Sequence, residues 1–206
     1  YAGFLARSMG VPIRRLILAT NENNVLEEFF TTGIYRPRSA EDTLATSSPS
    51  MDISKASNLE RFIWALLGPE VFVQRWTELE TTGTLDLRDQ LPRLREEFGF
   101  VAGTSTHADR LEAIRSVKER SGRLIDPHTA DGVTVALRVM EPGFPTLVME
   151  TAKAAKFPQT VAEALGSEPE TPDVVADLLA RPQKVETIDN EEAPLRALIE
   201  ERALTR

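Results

Sequence analysis

Residues 145–157 read Pro-Thr-Leu-Val-Met-Glu-Thr-Ala-Lys-Ala-Ala-Lys-Phe, and this stretch is the clearest guide to the fold. A short apolar run at 146–149 ends abruptly in a polar patch. The pattern is typical of a buried strand of an α/β sheet, and in open α/β sheets ligands bind outside the carboxyl ends of the strands. We therefore predict a strand at 146–149 with Thr151 close to a ligand site.

The segments on either side extend the α/β pattern. Residues 14–20 predict a buried strand, and the polar loop at 21–24 leads into a helix at 25–31 that Gly33 ends. This β–loop–α unit is the building block of parallel sheets. A further strand is predicted at 98–103 and an edge strand at 184–188. The other predicted helices are 1–9, 59–67, 70–82, 86–98, 108–120, 129–140, 158–165, 174–180 and 191–203.

The composition excludes several classes of function. The 206 residues suffice for one large domain or two small ones, and 41% hydrophobic with 27% charged residues is an ordinary globular balance. A net charge of −8 argues against nucleic-acid binding and against an anionic membrane surface as partner. The absence of cysteine excludes disulfides, thiolate nucleophiles and cysteine metal sites, and it fits the cytoplasmic location that we predict. No apolar run is long enough to span a membrane.

Three polar patches follow or bracket the predicted strands. They lie at Asn21 and Glu22, at Asp126 and His128, and at Thr151. Each has an ordinary structural explanation: a turn before a helix, a helix start, or a β-favouring residue at a strand end. Taken together, they fall where the loops of an α/β sheet gather around a ligand.

A fourth polar segment lies within the long loop at 34–57. Loops of this length tend to be functional or disordered, and Ser48, Ser50 and Asp52 lie within this one. The alternative is a surface loop rich in Ser and Asx turns. His107 is predicted to be a solvated surface residue. The two histidines, at 107 and 128, are not at metal-ligand spacing, so we expect no metal site.

Five motifs, in this order and spacing, resemble the C-terminal part of the threonine synthase family. The resemblance is strong over residues 1–157 and looser to the end. Two of the motifs are together fairly specific within the pyridoxal-phosphate (PLP) enzymes of the tryptophan-synthase-β-like fold, namely Ser-Pro-Ser-Met-Asp and Asp-Pro-His-Thr-Ala-x-Gly. The five are Thr20-Asn21-Glu22-Asn23, Ser48-Pro49-Ser50-Met51-Asp52-Ile53, Ser57-Asn58-Leu59-Glu60-Arg61, Asp126-Pro127-His128-Thr129-Ala130-x-Gly132, and Glu150-Thr151-Ala152 with Lys156-Phe157.

The resemblance implies a fold and an activity. The fold would be an incomplete three-layer open α/β sheet with flanking helices, PLP fold type II. Residues 1–206 would form the C-terminal part of the large PLP-binding domain, with a helical insertion at 58–123 and a tail region at 167–206. The family is a lyase that uses pyridoxal 5′-phosphate to convert O-phosphohomoserine and water into L-threonine and phosphate in threonine biosynthesis. Its partner would be this small substrate, and either a monomer or a homodimer is expected.

The resemblance also implies roles for residues. The Thr151 hydroxyl would bind the cofactor's pyridine nitrogen, where other PLP folds place an Asp; a hydroxyl offers no opposite charge to favour the cationic ring. The family's Schiff-base lysine lies in its N-terminal half in a Ser-Phe-Lys context, which no lysine here shares. We therefore expect no catalytic residue in this chain, which would be inactive alone as a piece of a longer protein. The expected active-site lining is Asn21, Glu22, Ser48, Ser50, Asp52, Asp126 and His128.

One departure and two alternatives accompany this interpretation. Lys153 and Ala154 stand where the family often has His-Pro, which removes any role of that His but leaves Thr151 in place. The first alternative is another fold-type-II PLP lyase, such as a threonine dehydratase or a cysteate synthase, against which the motifs at 48–53 and 126–132 argue. The second is a non-catalytic module that reuses the fold. The residues upstream of Tyr1 would decide it.

Overall fold

A computed structural model describes residues 1–203, with the backbone alone at 174–176 and 179. It forms two compact units, Tyr1–Glu170 and Thr171–Arg206. The described helices are α1 (Ala2–Ser8), α2 (Val25–Thr32), α3 (Ser57–Leu67), α4 (Pro69–Thr82), α5 (His107–Ser121), α6 (Pro127–Val139), α7 (Pro158–Leu165), α8 (Asp173–Ala180) and α9 (Glu192–Ala203). The described strands are β1 (Leu16–Thr20), β2 (Ile34–Tyr35), β3 (Leu85–Asp86) and β4 (Phe100–Thr104). Among these helices, none combines the length and apolarity that a membrane crossing requires.

The central sheet joins β1 and β4 in parallel, with Leu16 opposite Phe100 and Thr20 opposite Thr104. Both strands were predicted, with bounds that differ by a few residues. Because parallel strands end at the same edge, the loops after Thr20 and Thr104 leave side by side. The two threonine hydroxyl oxygens lie 3.2 Å apart at this edge.

Helices cover both faces of this sheet. Side chains alternate between the faces of a strand, so Phe100 and Gly103 of β4 point to opposite sides. Phe100 packs against Phe30 of α2, with ring centroids 4.5 Å apart. On the other face, a Cβ at Gly103 would lie 2.9 Å from Cγ1 of Val135, so α6 packs close to the strand. The arrangement is the predicted three-layer one, with α2 on one side and α6 on the other.

Aromatic rings hold the first unit together on the α2 side. Phe62 of α3 packs edge-on against Phe4 of α1 and against Phe100, with centroid distances of 5.0 and 5.1 Å. Such pairs add about 0.5–1.5 kcal/mol each beyond the area that they bury. A second apolar cluster, which includes Ile114 and Ala130, joins α5, α6 and α7. These two clusters hold in place the helices beside the polar patches at Asn21 and Asp126.

The prediction of a buried strand at 146–149 is wrong. The segment pairs with no strand of the described residues, and Leu147 and Met149 are 88% and 77% exposed. It lies alongside β1 and α6, where Val148 contacts Gly132. An apolar run becomes a strand only when its backbone groups find a partner ladder, and the run itself does not encode that partner.

Two further elements differ from the prediction. Residues 86–98 do not form one helix: β3 pairs antiparallel with β2, and a 3₁₀ turn (Arg88–Gln90) and a π-helical turn (Arg93–Glu97) follow. Pro92, which has no N–H to donate, lies between the two turns. Residues 184–188 form no strand, and Val185 is exposed. A short β-branched run is stable as a strand only when a neighbouring strand pairs with it.

The predicted division of the chain stays a prediction. Residues 58–123 hold β3 and β4 as well as helices, and the last three residues of the tail predicted at 167–206 lie outside the described residues. Taken by itself, the second unit contains α8 and α9. In it Arg202 forms an ion pair with Glu186.

A pair of glycine variants tests the packing of α2. Gly33 and Gly83 each end a helix with a left-handed backbone, at φ +79° and +72°. A Cβ at Gly33 would lie 2.7 Å from Cα of Arg88, whereas a Cβ at Gly83 would meet nothing within 4 Å. We expect Gly83→Ala to cost about 1–2 kcal/mol for the left-handed backbone alone. Gly33→Ala should cost at least about 1 kcal/mol more because it overpacks a backbone contact. Urea unfolding measures both, and equal losses would contradict the contact.

Candidate functional site

A cavity of about 540 Å³ opens beside β1 and α6. Its size lies in the range of small-molecule and cofactor sites. Apolar residues of β1 and α6 contribute to its wall, and so does the segment at 146–152. The lining residues are Ile17, Ala19, Ser50, Met51, His128, Gly132, Ala136, Thr146, Leu147, Val148, Met149, Thr151, Ala152, Lys156 and Phe157.

The segment that carries Thr151 lies against α6 because α6 has a glycine there. A Cβ at Gly132 would lie 3.0 Å from Cγ1 of Val148, so a larger residue would push the segment away. Thr151 is exposed at the cavity, and its hydroxyl makes no hydrogen bond to the residues that the structure describes. The hydroxyl is therefore available to a ligand.

His128 is held in one tautomer. Its Nε2 accepts a hydrogen bond from the backbone N–H of Ser50 at 3.0 Å, so this nitrogen carries no proton. Its Nδ1 therefore carries the proton and donates it to Oδ1 of Asp126 at 2.7 Å. The Phe157 ring packs edge-on against the imidazole at 4.6 Å. Both ring nitrogens have hydrogen-bond partners, so His128 ties the 49–51 turn to α6.

Asp126 is the N-cap of α6 and is fully buried. Its carboxylate accepts the backbone N–H groups of His128 and Thr129, the imidazole of His128 and the Thr129 hydroxyl. Burial by itself raises its pKa, but these hydrogen bonds prevail and hold the pKa of Asp126 below its ordinary value. The residue is thus an ionised anchor for the first turn of α6.

A second network ties the long loop to the end of β1. The Asn21 side-chain amide, fully buried, donates to Thr46 Oγ1 at 2.8 Å, Ser48 Oγ at 3.1 Å and Asp52 Oδ1 at 2.9 Å. Asn23 donates to the same Asp52 oxygen at 2.9 Å. Asp52 Oδ2 accepts the backbone N–H of Thr46 at 2.8 Å. These contacts hold the loop in one conformation and orient the 49–51 turn toward the cavity.

The third network is an ion triad in which Arg110 and Asp131 are buried and Glu22 is partly exposed. Arg110 of α5 has no exposed surface, and its Nη2 contacts both carboxylate oxygens of Glu22 at 3.0 and 2.9 Å. Its Nη1 lies 3.1 Å from Oδ1 of Asp131, and its Nε donates to Ser47 Oγ at 2.7 Å. Burial raises the pKa of Asp131 against the opposing effects of the nearby Ser48 side chain and of Arg110. The other Asp131 oxygen and the Ser105 hydroxyl are buried without a hydrogen-bond partner among the described residues.

The sequence predicted that His107 is a solvated surface residue. In the structure both of its ring nitrogens instead contact other residues. Its Nδ1 lies 2.8 Å from Ser47 Oγ, and its Nε2 lies 2.9 Å from Oε1 of Glu163 in α7. Its backbone N–H donates to Glu22 at 2.7 Å. His107 therefore links the long loop to α7, a long-range contact that its place in a capping box does not reveal.

Comparison with known proteins places this geometry in a family. Residues 129–199 match the family model described as "Threonine synthase, C-terminal". The threonine synthase of Methylobacillus glycogenes is 48% identical over 203 residues, which are 97% of this chain and 43% of that protein. That of Corynebacterium glutamicum is 50% identical over 197 residues, or 92% of this chain and 40% of that protein. The chain belongs to the threonine synthase family.

The solved structures agree with the assignment to threonine synthase. The crystal structure of a PLP-bound threonine synthase from Brucella melitensis has 34% sequence identity and a TM-score of 0.84 to this chain. The match covers 97% of this chain and 43% of the Brucella chain. The fold class is thus the predicted α/β architecture of PLP fold type II, in a family of PLP-dependent lyases. The chain corresponds to the C-terminal portion of threonine synthase and spans about two fifths of the length of its curated relatives.

The residues that the threonine synthase resemblance selected fall into two groups. Ser50, His128 and Thr151 line the cavity. The other five, which lie in the supporting networks around it, are Asn21, Glu22, Ser48, Asp52 and Asp126. Sequence reasoning missed Arg110, Asp131 and the cavity residue Lys156. Lys156 lies within a quoted motif, which could have drawn attention to it, whereas Arg110 sits in an ordinary amphipathic helix pattern.

Proposed function

We propose that this chain forms one wall of the active site of a threonine synthase that converts O-phosphohomoserine and water into L-threonine and phosphate. The observation that carries the proposal is the identity of 48% over 97% of the chain to a threonine synthase. The cavity supports it, since a site with apolar walls and few polar groups suits a small ligand.

The cavity residues fit pyridoxal 5′-phosphate. The apolar wall of Ile17, Ala19 and Ala136 suits a flat aromatic ring, and the free Thr151 hydroxyl stands on the same cavity. When bound, this cofactor supplies an electron sink, while the protein supplies position and electrostatics. The Brucella melitensis relative is described as PLP-bound, which also supports the cofactor.

Thr151 hydrogen-bonds the ring nitrogen in this proposal. Its hydroxyl is polar but uncharged, so it orients the ring without favouring a protonated nitrogen as a carboxylate would. The position of Thr151 depends on Val148 against Gly132 and on the turn that ends at Lys156. Asp126 and His128 act on the cavity indirectly. Asp126 orients the imidazole of His128, and His128 holds the backbone of Ser50.

No lysine of this chain is proposed to attach the cofactor covalently, so the chain alone should be inactive. The support is the absence of a Ser-Phe-Lys context around any of its five lysines. A homodimer or a monomer, a cytoplasmic location, and a domain division at 58–123 and 167–206 stay predictions.

The test uses a family-length protein, meaning this chain joined to the part of the Methylobacillus glycogenes threonine synthase that precedes the matching region. With pyridoxal 5′-phosphate, we expect O-phosphohomoserine to yield equal amounts of L-threonine and phosphate. Deamination of serine or threonine without turnover of O-phosphohomoserine would instead support another fold-type-II lyase. A folded protein that binds no cofactor would support a non-catalytic module.

Thr151→Val tests the proposed hydrogen bond within the same protein. The variant removes the hydroxyl at nearly constant volume, and we expect kcat/KM to fall about tenfold, the equivalent of one hydrogen bond. The matched control is Thr160→Val in α7, outside the cavity, which should leave kcat/KM within about twofold. Absorbance of the bound cofactor should shift in the Thr151 variant alone. Equal kinetics in both variants would contradict the role.

A further inference from the structure

The cavity holds one cationic side chain and no carboxylate to oppose it. Of the residues that line it, Lys156 alone is a Lys or Arg, and none is an Asp or Glu. His128 also lines the cavity, and both of its ring nitrogens already have partners, the Ser50 backbone N–H on Nε2 and Asp126 on Nδ1. The charge that a ligand meets in this cavity is therefore positive, and it comes from Lys156.

The Lys156 ammonium has no partner among the described residues. Its Nζ takes part in no hydrogen bond or ion pair there. Lys153, three positions earlier, lies outside the cavity, and its Nζ is 2.7 Å from Oε1 of Glu150. The two lysines of this short segment thus differ in their partners. Lys153 is ion-paired with Glu150 outside the cavity, whereas Lys156 lines the cavity and is unpaired among the described residues.

The backbone at Lys156 is well anchored. It ends a 3₁₀ turn (Ala154–Lys156) in which the Lys156 N–H donates to the Lys153 carbonyl at 3.0 Å. Ala154 is buried, and Phe157 packs on the His128 ring at 4.6 Å. Ala154, two positions before Lys156, and Phe157, directly after it, are therefore held in place, and the backbone of Lys156 lies between them at the cavity wall.

Two free hydroxyls share the cavity with this ammonium. The Ser50 and Thr151 hydroxyls make no hydrogen bond to the described residues, although the Ser50 backbone N–H is used by His128. An ammonium offers three donors and a compact charge, which suits a group with several anionic oxygens. Unpaired donors without an acidic neighbour match a phosphate monoester, the most highly charged group of both the proposed substrate and the proposed cofactor.

We propose that Lys156 binds the phosphate monoester of a ligand in this cavity. The inference rests on the proposed function for the identity of that ligand, O-phosphohomoserine or pyridoxal 5′-phosphate. The contact is a binding one, so its loss should change affinity more than the rate at saturation.

The experiment compares Lys156→Met with Lys153→Met and Lys156→Arg in the family-length protein. Removal of one charge-assisted hydrogen bond should raise the KM for O-phosphohomoserine about 10- to 100-fold, with kcat within about threefold, if the substrate is the source. A similar rise in the dissociation constant of pyridoxal 5′-phosphate, with KM unchanged, would identify the cofactor instead. Lys153→Met should change neither constant, and Lys156→Arg should restore most of the affinity because it keeps the charge.

A third measurement separates this inference from the proposed function. Inorganic phosphate is titrated calorimetrically into the cofactor-free protein and each variant, which requires no turnover. Weaker phosphate binding in Lys156→Met alone supports the site even if the protein makes no threonine. Equal changes in both methionine variants, in kinetics and in phosphate binding, would overturn it. Borohydride trapping of the cofactor on Lys156 would overturn it too, since the lysine would then be a point of covalent attachment.

Discussion

Replacing Arg110 by methionine should lower the free energy of unfolding by about 3–5 kcal/mol, the range measured when one partner of a buried ion pair is removed. Arg110 has no exposed surface, and it contacts Glu22 and Asp131, of which Asp131 is fully buried. The variant leaves both carboxylates facing an apolar side chain. Urea unfolding followed by circular dichroism measures the loss.

Two comparisons make the Arg110 result specific. Arg115→Met, on the same helix, removes an exposed ion pair with Glu112 and should cost less than about 1 kcal/mol. Adding Glu22→Gln and Asp131→Asn to Arg110→Met should recover more than half of the loss, because the unpaired charges are then gone. A loss below about 1 kcal/mol in the single variant, or no recovery in the triple variant, would show that the triad is not the source of stability.

Local patterns predicted much of the fold because they depend on neighbours in sequence. The capping box of Thr106 and Asp109 begins α5, and Gly33 ends α2 as expected. Strands β1 and β4 were also foreseen from apolar runs, since each run is bounded by turn residues. The family resemblance identified the segments that surround the cavity, although it did not separate residues that line it from residues that support it.

Long-range polar contacts could not be predicted in this way. Arg110 lies in α5, where the apolar pattern marks Leu111 and Ile114 as the buried face, yet Arg110 is itself fully buried. Its partners Glu22 and Asp131 lie on other loops and helices, and only the assembled sheet brings them together. The prediction of a strand at 146–149 was wrong for a related reason. The apolar pattern of this segment gives no information on whether a neighbouring strand is present.

Asp126→Ala should cost about 1.5–5 kcal/mol of stability at neutral pH. The variant removes the N-cap of α6, which is worth about 0.5–2 kcal/mol. It also leaves the buried imidazole Nδ1–H of His128 without its acceptor, which costs about 1–3 kcal/mol more. Glu112→Ala, an exposed carboxylate on α5, should change stability by less than about 0.5 kcal/mol. Equal losses in the two variants, measured by urea unfolding, would contradict the anchoring role of Asp126.

The same carboxylate should give the chain part of its sensitivity to acid. Because the folded-state pKa of Asp126 is below its ordinary value, its contribution is present above the unfolded pKa of about 3.9 and is lost as the pH falls through the folded value. In that window the unfolded chain binds more protons than the folded one, so stability rises with pH. Asp126→Asn, which cannot ionise, should therefore be less stable than the native chain at pH 7 and should lose less stability between about pH 5 and pH 2. Parallel stability curves for the two proteins over that range would mean that His128 and Thr129 do not favour the ionised form of Asp126.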